Sequence, residues 1–298
     1  MDFESMAVFR NSPVPVTVSE VREAANRLGI CPRRSLGQHF LTDRNILAII
    51  ISAARLTRKD RVLEIGAGMG ALTAALLEKA GRVVALEKDA RLADFLAESF
   101  SRHRRLELRR ADATELDYAA LFGSGITKVV SNLPYSVASF LLAEMAQAPN
   151  APALMAVTVQ LEVAERLAAH PGTKAYGKLS VWMQMDYDVE LVWRVSPTCF
   201  WPAPEVESAV VRLERRPDEL SEAERDAARR LATAAFQHRR KQIGAIFAKT
   251  EWIGPERGTR LCEAAGIQPH ARPEEIDRGG WLRLGRALAG AGGGAGRC

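Results

Sequence analysis

An α/β fold, with a mostly parallel sheet followed by a smaller helical domain, is predicted by three features of the 298-residue sequence. Apolar, strand-like runs alternate with helical stretches over the first two hundred residues. Strand–helix–strand connections of that kind build a parallel sheet with helices on both faces. The segment VLEIGAGMGALTAALLE passes from strand to helix through three glycines. From Ser221 onward the spacing of apolar residues is helical.

Residues 1–32 read as an N-terminal extension, punctuated by Pro13, Pro15 and Pro32, with a short helix over Ser19–Leu28. Strands are expected at Arg61–Ile65, Arg82–Glu87, Leu106–Arg110, Lys128–Ser131 and Leu154–Val159. Helices are expected at Ala71–Lys79, Ala90–Phe100, Ser139–Gln147 and Leu161–Ala169. Two further strands, Val189–Val195 and Ala209–Leu213, are joined by the proline-rich loop Pro197–Pro204 and not by a helix, which predicts an antiparallel pair at one edge of the sheet. Ser221, with Glu224 three residues on, forms a capping box that opens the first helix of the last domain. Short helices continue to about Leu288. Residues 291–298 are half glycine and read as a flexible tail. The predicted organisation is an extension over 1–32, an α/β domain over 33–216, a helical domain over 217–290 and a tail.

Hydrophobic residues at 47% and charged residues at 26% match an ordinary globular chain and exclude wholesale disorder. The longest apolar runs, such as that around Ile46–Ile51, fall far short of the ~20 residues of a membrane span. The opening MDFESMAVFR lacks the basic-then-apolar pattern of a signal peptide. Cys31, Cys199, Cys262 and Cys298 are scattered and never spaced C-x-x-C, which points away from zinc and disulfides and towards a reducing, cytoplasmic compartment. The net charge of +5 invites a polyanionic partner, though mildly. Two basic clusters stand out: Arg102, Arg104, Arg105, Arg109 and Arg110, and then Arg229, Arg230, Arg239, Arg240 and Lys241. Each reads first as a solvated face.

Gly66, Gly68 and Gly70 permit a tight turn and the close approach of a ligand that a Cβ would block. With Ala71 they match the dinucleotide fingerprint G-x-G-x-x-A. Glu87 ends the next strand, placed to accept from ribose hydroxyls. A helix cap without ligand is the plainer alternative for such a loop. A dinucleotide needs the helix N-terminus for its pyrophosphate. A sulfonium cofactor needs acids instead, and Glu64 and Asp112 supply them, Asp112 for an adenine amino group. Asp112 equally suits the role of a helix N-cap. After the fourth strand comes Asn132-Leu133-Pro134-Tyr135, bordering the same crevice at the strand ends. An adenine amino nitrogen is a poor nucleophile because its lone pair is delocalised. The Asn132 oxygen and a backbone carbonyl near Leu133, accepting from its two N–H groups, favour a tetrahedral nitrogen as it attacks. Pro134 stiffens the turn and Tyr135 offers a stacking face. A simple strand-ending turn is the alternative.

These residues carry a resemblance. The chain from about Arg34 to Leu288 resembles the KsgA/RsmA family of small-subunit ribosomal RNA adenine dimethyltransferases. The resemblance rests on Ser35-Leu36-Gly37-Gln38-His39-Phe40-Leu41, Glu64-Ile65-Gly66-Ala67-Gly68, Asn132-Leu133-Pro134-Tyr135, the stretch Lys174–Val181, and Phe200-Trp201-Pro202-Ala203-Pro204-Glu205-Val206-Glu207-Ser208-Ala209-Val210-Val211. It implies a Rossmann-like methyltransferase domain with a seven-stranded, mostly parallel sheet over 33–216 and a helical RNA-binding domain over 217–290. It implies S-adenosylmethionine as methyl donor, no metal, and dimethylation at N6 of two adjacent adenosines near the 3′ end of 16S rRNA in an immature small subunit, by a monomer. On this resemblance His39, Leu41, Gly66, Gly68, Glu87, Asp112 and Asn132 hold the cofactor. Asn132, Leu133, Pro134, Tyr135 and Phe200 form the catalytic group, with Tyr135 and Phe200 clamping the flipped adenine. Arg229, Arg230, Arg239, Arg240 and Lys241 track RNA phosphates. The chain departs from the family pattern at His39, where many members have Asn, at Lys241–Ala245, where relatives often read RKT-x-RN, and at the bulkier Trp201. Three rivals remain at this level: a 23S rRNA adenine methyltransferase of the antibiotic-resistance type, a dinucleotide oxidoreductase, and a mainly non-catalytic assembly checkpoint factor.

Overall fold

The computed structural model of the protein describes residues 14–32 and 37–290; Ser35 and Leu36 of the opening motif and the tail 291–298 lie outside the described residues. The chain divides into two compact units. The first takes residues 1–164 and Val189–Arg215, and the second takes Glu165–Asp188 and Arg216–Cys298.

The first unit opens with helix α1 (Val18–Arg27), strand β1 (Phe40–Leu41) and helix α2 (Arg44–Ala54). Strand β2 (Arg61–Ile65), α3 (Ala71–Lys79), β3 (Arg82–Glu87), α4 (Ala90–Ser99) and β4 (Leu106–Arg110) follow. Then come α5 (Tyr118–Gly123), β5 (Lys128–Asn132), α6 (Ala138–Gln147), β6 (Leu154–Gln160) and α7 (Leu161–Leu167). Beyond α8 (Lys178–Asp186) lie β7 (Tyr187–Val195), β8 (Phe200–Trp201) and β9 (Ser208–Arg215). Seven strands form one sheet in the order β4-β3-β2-β5-β6-β9-β7. The pairs β2–β3, β3–β4, β2–β5 and β5–β6 are parallel, and β9 runs antiparallel to β6. The central strands read as unbroken apolar runs because helices cover both faces: Val62, Leu63 and Ile65 of β2 and Val83, Val84 and Ala85 of β3 are all buried.

The chain runs outward from β2 to β4, then returns to start β5 on the other side of β2. That reversal is a topological switch point, and ligands of open α/β sheets bind beside the carboxyl ends of such strands. Here those ends are Gly66 and Asn132. A two-stranded sheet that the sequence did not predict pairs β1 with β8 in antiparallel register, Phe40 with Trp201 and Leu41 with Phe200. It ties the GQHFL segment to the proline-rich loop.

Two expectations about organisation need correction. The described part of the N-terminal extension belongs to the α/β unit: Val14, Val16, Val21, Ala24 and Ala25 are buried in its core, and α1 starts at a Thr17–Glu20 capping box. Its apolar stripe has nowhere else to hide from water. The helical unit is discontinuous, since it includes Glu165–Asp188 besides α9 (Glu222–Phe236), α10 (Ile243–Lys249), α11 (Pro255–Ala265) and α12 (Arg278–Gly290). Tyr176, Val181 and Met185 sit in one apolar cluster with Phe247 and Trp281, and the Tyr176 hydroxyl donates to the Ile276 carbonyl at 2.9 Å. Sequence order hides this, because Glu165–Asp188 precedes the last two strands. Among the described residues no helix is long and apolar enough to cross a membrane.

Candidate active site

A cavity of about 690 Å³ opens at the switch point. Its walls are the turn 29–31, the segment 37–41, the glycine loop, the ends of β3 and β4, and Asn132–Pro134. The sequence therefore places His39, Leu41, Gly66, Gly68, Glu87, Asp112 and Asn132 around one space.

Backbone closeness explains two of the glycines. A Cβ on Gly68 would stand 3.0 Å from Phe40 Cδ1, and one on Gly37 would stand 2.9 Å from the Tyr135 nitrogen; both residues have positive φ, +57° and +64°. Gly37 thus lets the GQHFL segment lie directly on the tetrapeptide. Glu87 does more than face the cavity. Its Oε2 accepts from the Gly68 N–H at 2.9 Å and its Oε1 from the Asp89 N–H at 2.9 Å. The carboxylate so pins the glycine loop, and burial pushes its pKa up despite those two donors.

Asn132 is the centre of the arrangement. Its Nδ2 donates to the His39 carbonyl at 3.0 Å, while its buried Oδ1 has no partner. A carbonyl can only accept, so the His39 oxygen fixes which way the amide faces. The loop around Asn132 is tied down at several points. Ser131 Oγ donates to the Ile65 carbonyl at 2.6 Å, the Leu133 N–H to the Thr158 carbonyl at 3.1 Å, and the Val137 N–H to the Pro134 carbonyl at 3.1 Å. The His39 ring is used as well: Nδ1 lies 2.7 Å from the Pro202 carbonyl and must carry the proton there. This chain therefore keeps its histidine occupied between the proline-rich loop and Tyr135, on which the ring stacks with centroids 5.3 Å apart.

Asp112 takes the capping role open to it and pairs with a cation besides. Oδ1 caps the short helix Ala113–Glu115, accepting from the Thr114 N–H at 2.9 Å and its hydroxyl at 2.8 Å. Oδ2 pairs with Lys88, and Lys88 first, then Thr114, draws the carboxyl down to about 2. Sequence reading passed over Lys88, although a cation next to Glu87 was a visible signal. It also passed over Gly29, Ile30 and Cys31, which were assigned to the extension yet line the cavity.

Tyr135 and Phe200 do not form an open clamp. Their rings meet edge to face with centroids 6.4 Å apart, and both are buried, so no slot for a base lies between them. Two apolar rings with no third between them cover one another. The Tyr135 hydroxyl is bonded to Ser208 Oγ, and burial pushes its pKa up to about 12.

The predicted RNA-facing arginines divide. Arg229 is buried and pairs with Asp186 at 2.7 Å, so its charge is spent inside the helical unit. Arg239 is bound to Glu274 and donates to the Lys174 and Thr173 carbonyls at 2.7 and 2.9 Å. Both are structural, a correction to the sequence reading. Arg230 lies over the Trp252 ring at 4.6 Å. Arg240 and Lys241 are exposed and line a cleft of the helical unit with His270 and Arg272.

Comparisons with known proteins identify relatives of the whole chain. The family model described as ribosomal RNA adenine dimethylase matches residues 31–289. The chain is 40% identical to the ribosomal RNA small subunit methyltransferase A of Phenylobacterium zucineum over 268 residues, which cover 90% of this chain and 92% of that one. It is 42% identical to the protein of the same name from Rhodospirillum rubrum over 274 residues, 91% of this chain and 93% of the other. Among solved structures, the 23S rRNA methyltransferase ErmE aligns with TM-score 0.66 at 28% identity, over 84% of this chain and 99% of that one.

Proposed function

The chain belongs to the ribosomal RNA adenine dimethylase family, and from that premise we propose that it transfers methyl groups from S-adenosylmethionine to N6 of two adjacent adenosines near the 3′ end of 16S rRNA, during assembly of the small subunit. The observation that carries the reading is the Asn132 amide: one N–H of its Nδ2 goes to the His39 carbonyl, and its buried oxygen is an acceptor with no partner among the described residues. A target amino group is the donor it lacks.

The residues present fit the methyl donor. The glycine turn has positive φ at Gly68, where a Cβ would be strained and would crowd Phe40, and Glu87 and Asp112 place carboxylates at the ends of two successive strands beside it. The bound donor supplies a methyl group on a sulfonium that departs as a neutral thioether. Everything else falls to the chain. Glu87 holds the glycine loop through Oε2 and the Asp89 N–H through Oε1, and keeps the remaining lone pairs for ribose hydroxyls. Asp112 has Oδ2 for an adenine amino group, shared with Lys88. Asn132 Oδ1 takes one N–H of the target amine. The Pro134 carbonyl is already occupied by the Val137 N–H, so the neighbouring Leu133 carbonyl is assigned to the other. Acceptors held at the place where charge develops lower the barrier without reorganising at the moment of reaction. Pro134 keeps that geometry stiff. Each transfer releases one proton from the nitrogen to solvent, so a second methylation uses one of the same acceptors for the single hydrogen that remains. Tyr135 and Phe200 turn apart to take the base.

The 40–42% identity to small-subunit enzymes, against 28% to the 23S enzyme, supports the small-subunit target. Mass spectrometry of both ribosomal RNAs, from cells lacking this protein and from cells with it restored, tests the reading. Loss and return of dimethyladenosine in 16S rRNA is the expected result. A change confined to 23S rRNA refutes it.

A further inference from the structure

At the last turn of β2 a carboxyl group is buried without a cation. Glu64 is 1% exposed, and its Oε2 accepts from the Thr73 hydroxyl at 2.6 Å. No ion pair reaches it among the described residues. The groups set against it from neighbouring elements are Thr73 on α3, which donates to it, and the acid Glu87 on β3. Yet Glu64 lines the cavity, as do Lys88, Asp89, Arg91, Asp112 and His39. Arg91 is committed to the Gly29 carbonyl and Lys88 to Asp112. A buried charge without a counter-ion is strongly disfavoured, and such a group neutralises itself instead. Burial first, and the like charge of Glu87 with it, holds this carboxyl up at about 8.

Resting on the reading of this cavity as a methyl-donor site, we propose that Glu64 senses the charge of what occupies it: the carboxyl is neutral in the empty protein, loses its proton when the cationic donor binds, and regains it when the neutral thioether product takes the donor's place. The proton passes between the Glu64 carboxyl and bulk solvent, and no other bond changes. The physical basis is one unit of charge. Donor and product share their adenosine and amino-acid parts and differ only at the sulfur. A cation held in the same cavity favours the ionised form of a buried carboxyl where a neutral ligand does not, which moves the carboxyl towards ionisation at neutral pH. Binding of the donor then tightens as pH rises and binding of the product does not, so preference for the donor over the spent cofactor grows as the carboxyl ionises. Glu64 acts here as a positioning and selectivity group, apart from the atoms that react.

Calorimetric titration of the full-length protein at pH 7, in two buffers of different ionisation enthalpy, counts the protons released. S-adenosylmethionine is expected to release most of one proton more than S-adenosylhomocysteine does. The affinity ratio of the two is expected to widen by up to about tenfold per pH unit between about pH 6 and 8. In Glu64→Gln both differences should vanish. Equal proton counts for the two ligands, or a difference that survives in Glu64→Gln, overturns the proposal. Should that variant fail to fold, the wild-type ratio across pH decides alone: a flat ratio overturns it. Failure to bind either ligand sinks the methyl-donor reading itself, a distinct outcome.

Discussion

Asn132 shows how one side chain can be both fixed and available. The His39 carbonyl takes its N–H side, so the oxygen is presented by a hydrogen bond and needs no rotamer search. Asn132→Ala removes an acceptor needed only as the target nitrogen changes shape. Turnover of 16S rRNA should fall by about 10²–10³-fold, while the dissociation constant for S-adenosylhomocysteine stays within a few-fold; single-turnover kinetics beside calorimetry measures both. Glu87→Ala should weaken cofactor binding by roughly 1–3 kcal/mol, because ribose hydroxyls lose their acceptor and the Gly68 N–H loses its own. Unchanged affinity would move the cofactor elsewhere. Glu64 also links stability to pH. Its folded pKa, about 8, lies above the usual 4.5. The folded state therefore binds more protons in that window, so the empty protein loses stability as pH rises from about 4.5 to about 8. Denaturant titrations should show that Glu64→Gln flattens this slope.

Among the elements, α9 and α8 of the helical unit carry the least expected charge arrangement. Asp186, at the end of α8, is buried and pairs with Arg225 at 2.8 Å and Arg229 at 2.7 Å, both from α9. Two guanidinium groups around one carboxylate tolerate burial only while the carboxylate is present. Asp186→Asn should cost up to about 3–5 kcal/mol by taking the carboxylate from the buried Arg229, while Arg225 keeps Asp218, read as a lowered midpoint of chemical unfolding. The start of α9 is a milder case. Ser221 Oγ accepts from the Glu224 N–H, and Glu224 accepts in return from the Ser221 N–H at 2.8 Å. This capping box was legible in sequence because it depends on two residues three apart and on nothing distant.

For the whole molecule the charge balance matters through its placement. Of five clustered basic residues, Arg229 and Arg239 are absorbed by Asp186 and Glu274, whereas Arg240 and Lys241 remain exposed. Binding to a small-subunit RNA fragment should weaken steeply with salt. Arg240→Ala and Lys241→Ala should each reduce the slope of log affinity against log salt by about 1. Arg229→Gln should leave that slope unchanged and lower stability instead. Filter binding across a salt series separates the two kinds of arginine, and equal slopes for all three variants would reject the division.

By itself the sequence determined the strand–helix alternation, the positions of β2 to β4, the glycine loop and the tetrapeptide. Each of those is written in local periodicity, turn chemistry or a motif of neighbours. It also brought together, by the switch-point rule, two segments 66 residues apart, Gly66 and Asn132. Tertiary structure alone decided what the polar groups touch. The amide of Asn132 is oriented by His39, Asp112 is divided between a cap and Lys88, and Arg229 is buried against Asp186. Tertiary structure likewise moved Glu165–Asp188 into the helical unit and residues 14–32 into the α/β core. The reason is the same in every case. Hydrogen bonds and ion pairs join residues distant in sequence, and burial, which sets their strength and the protonation of Glu64, is a property of the packed chain that no window of sequence contains.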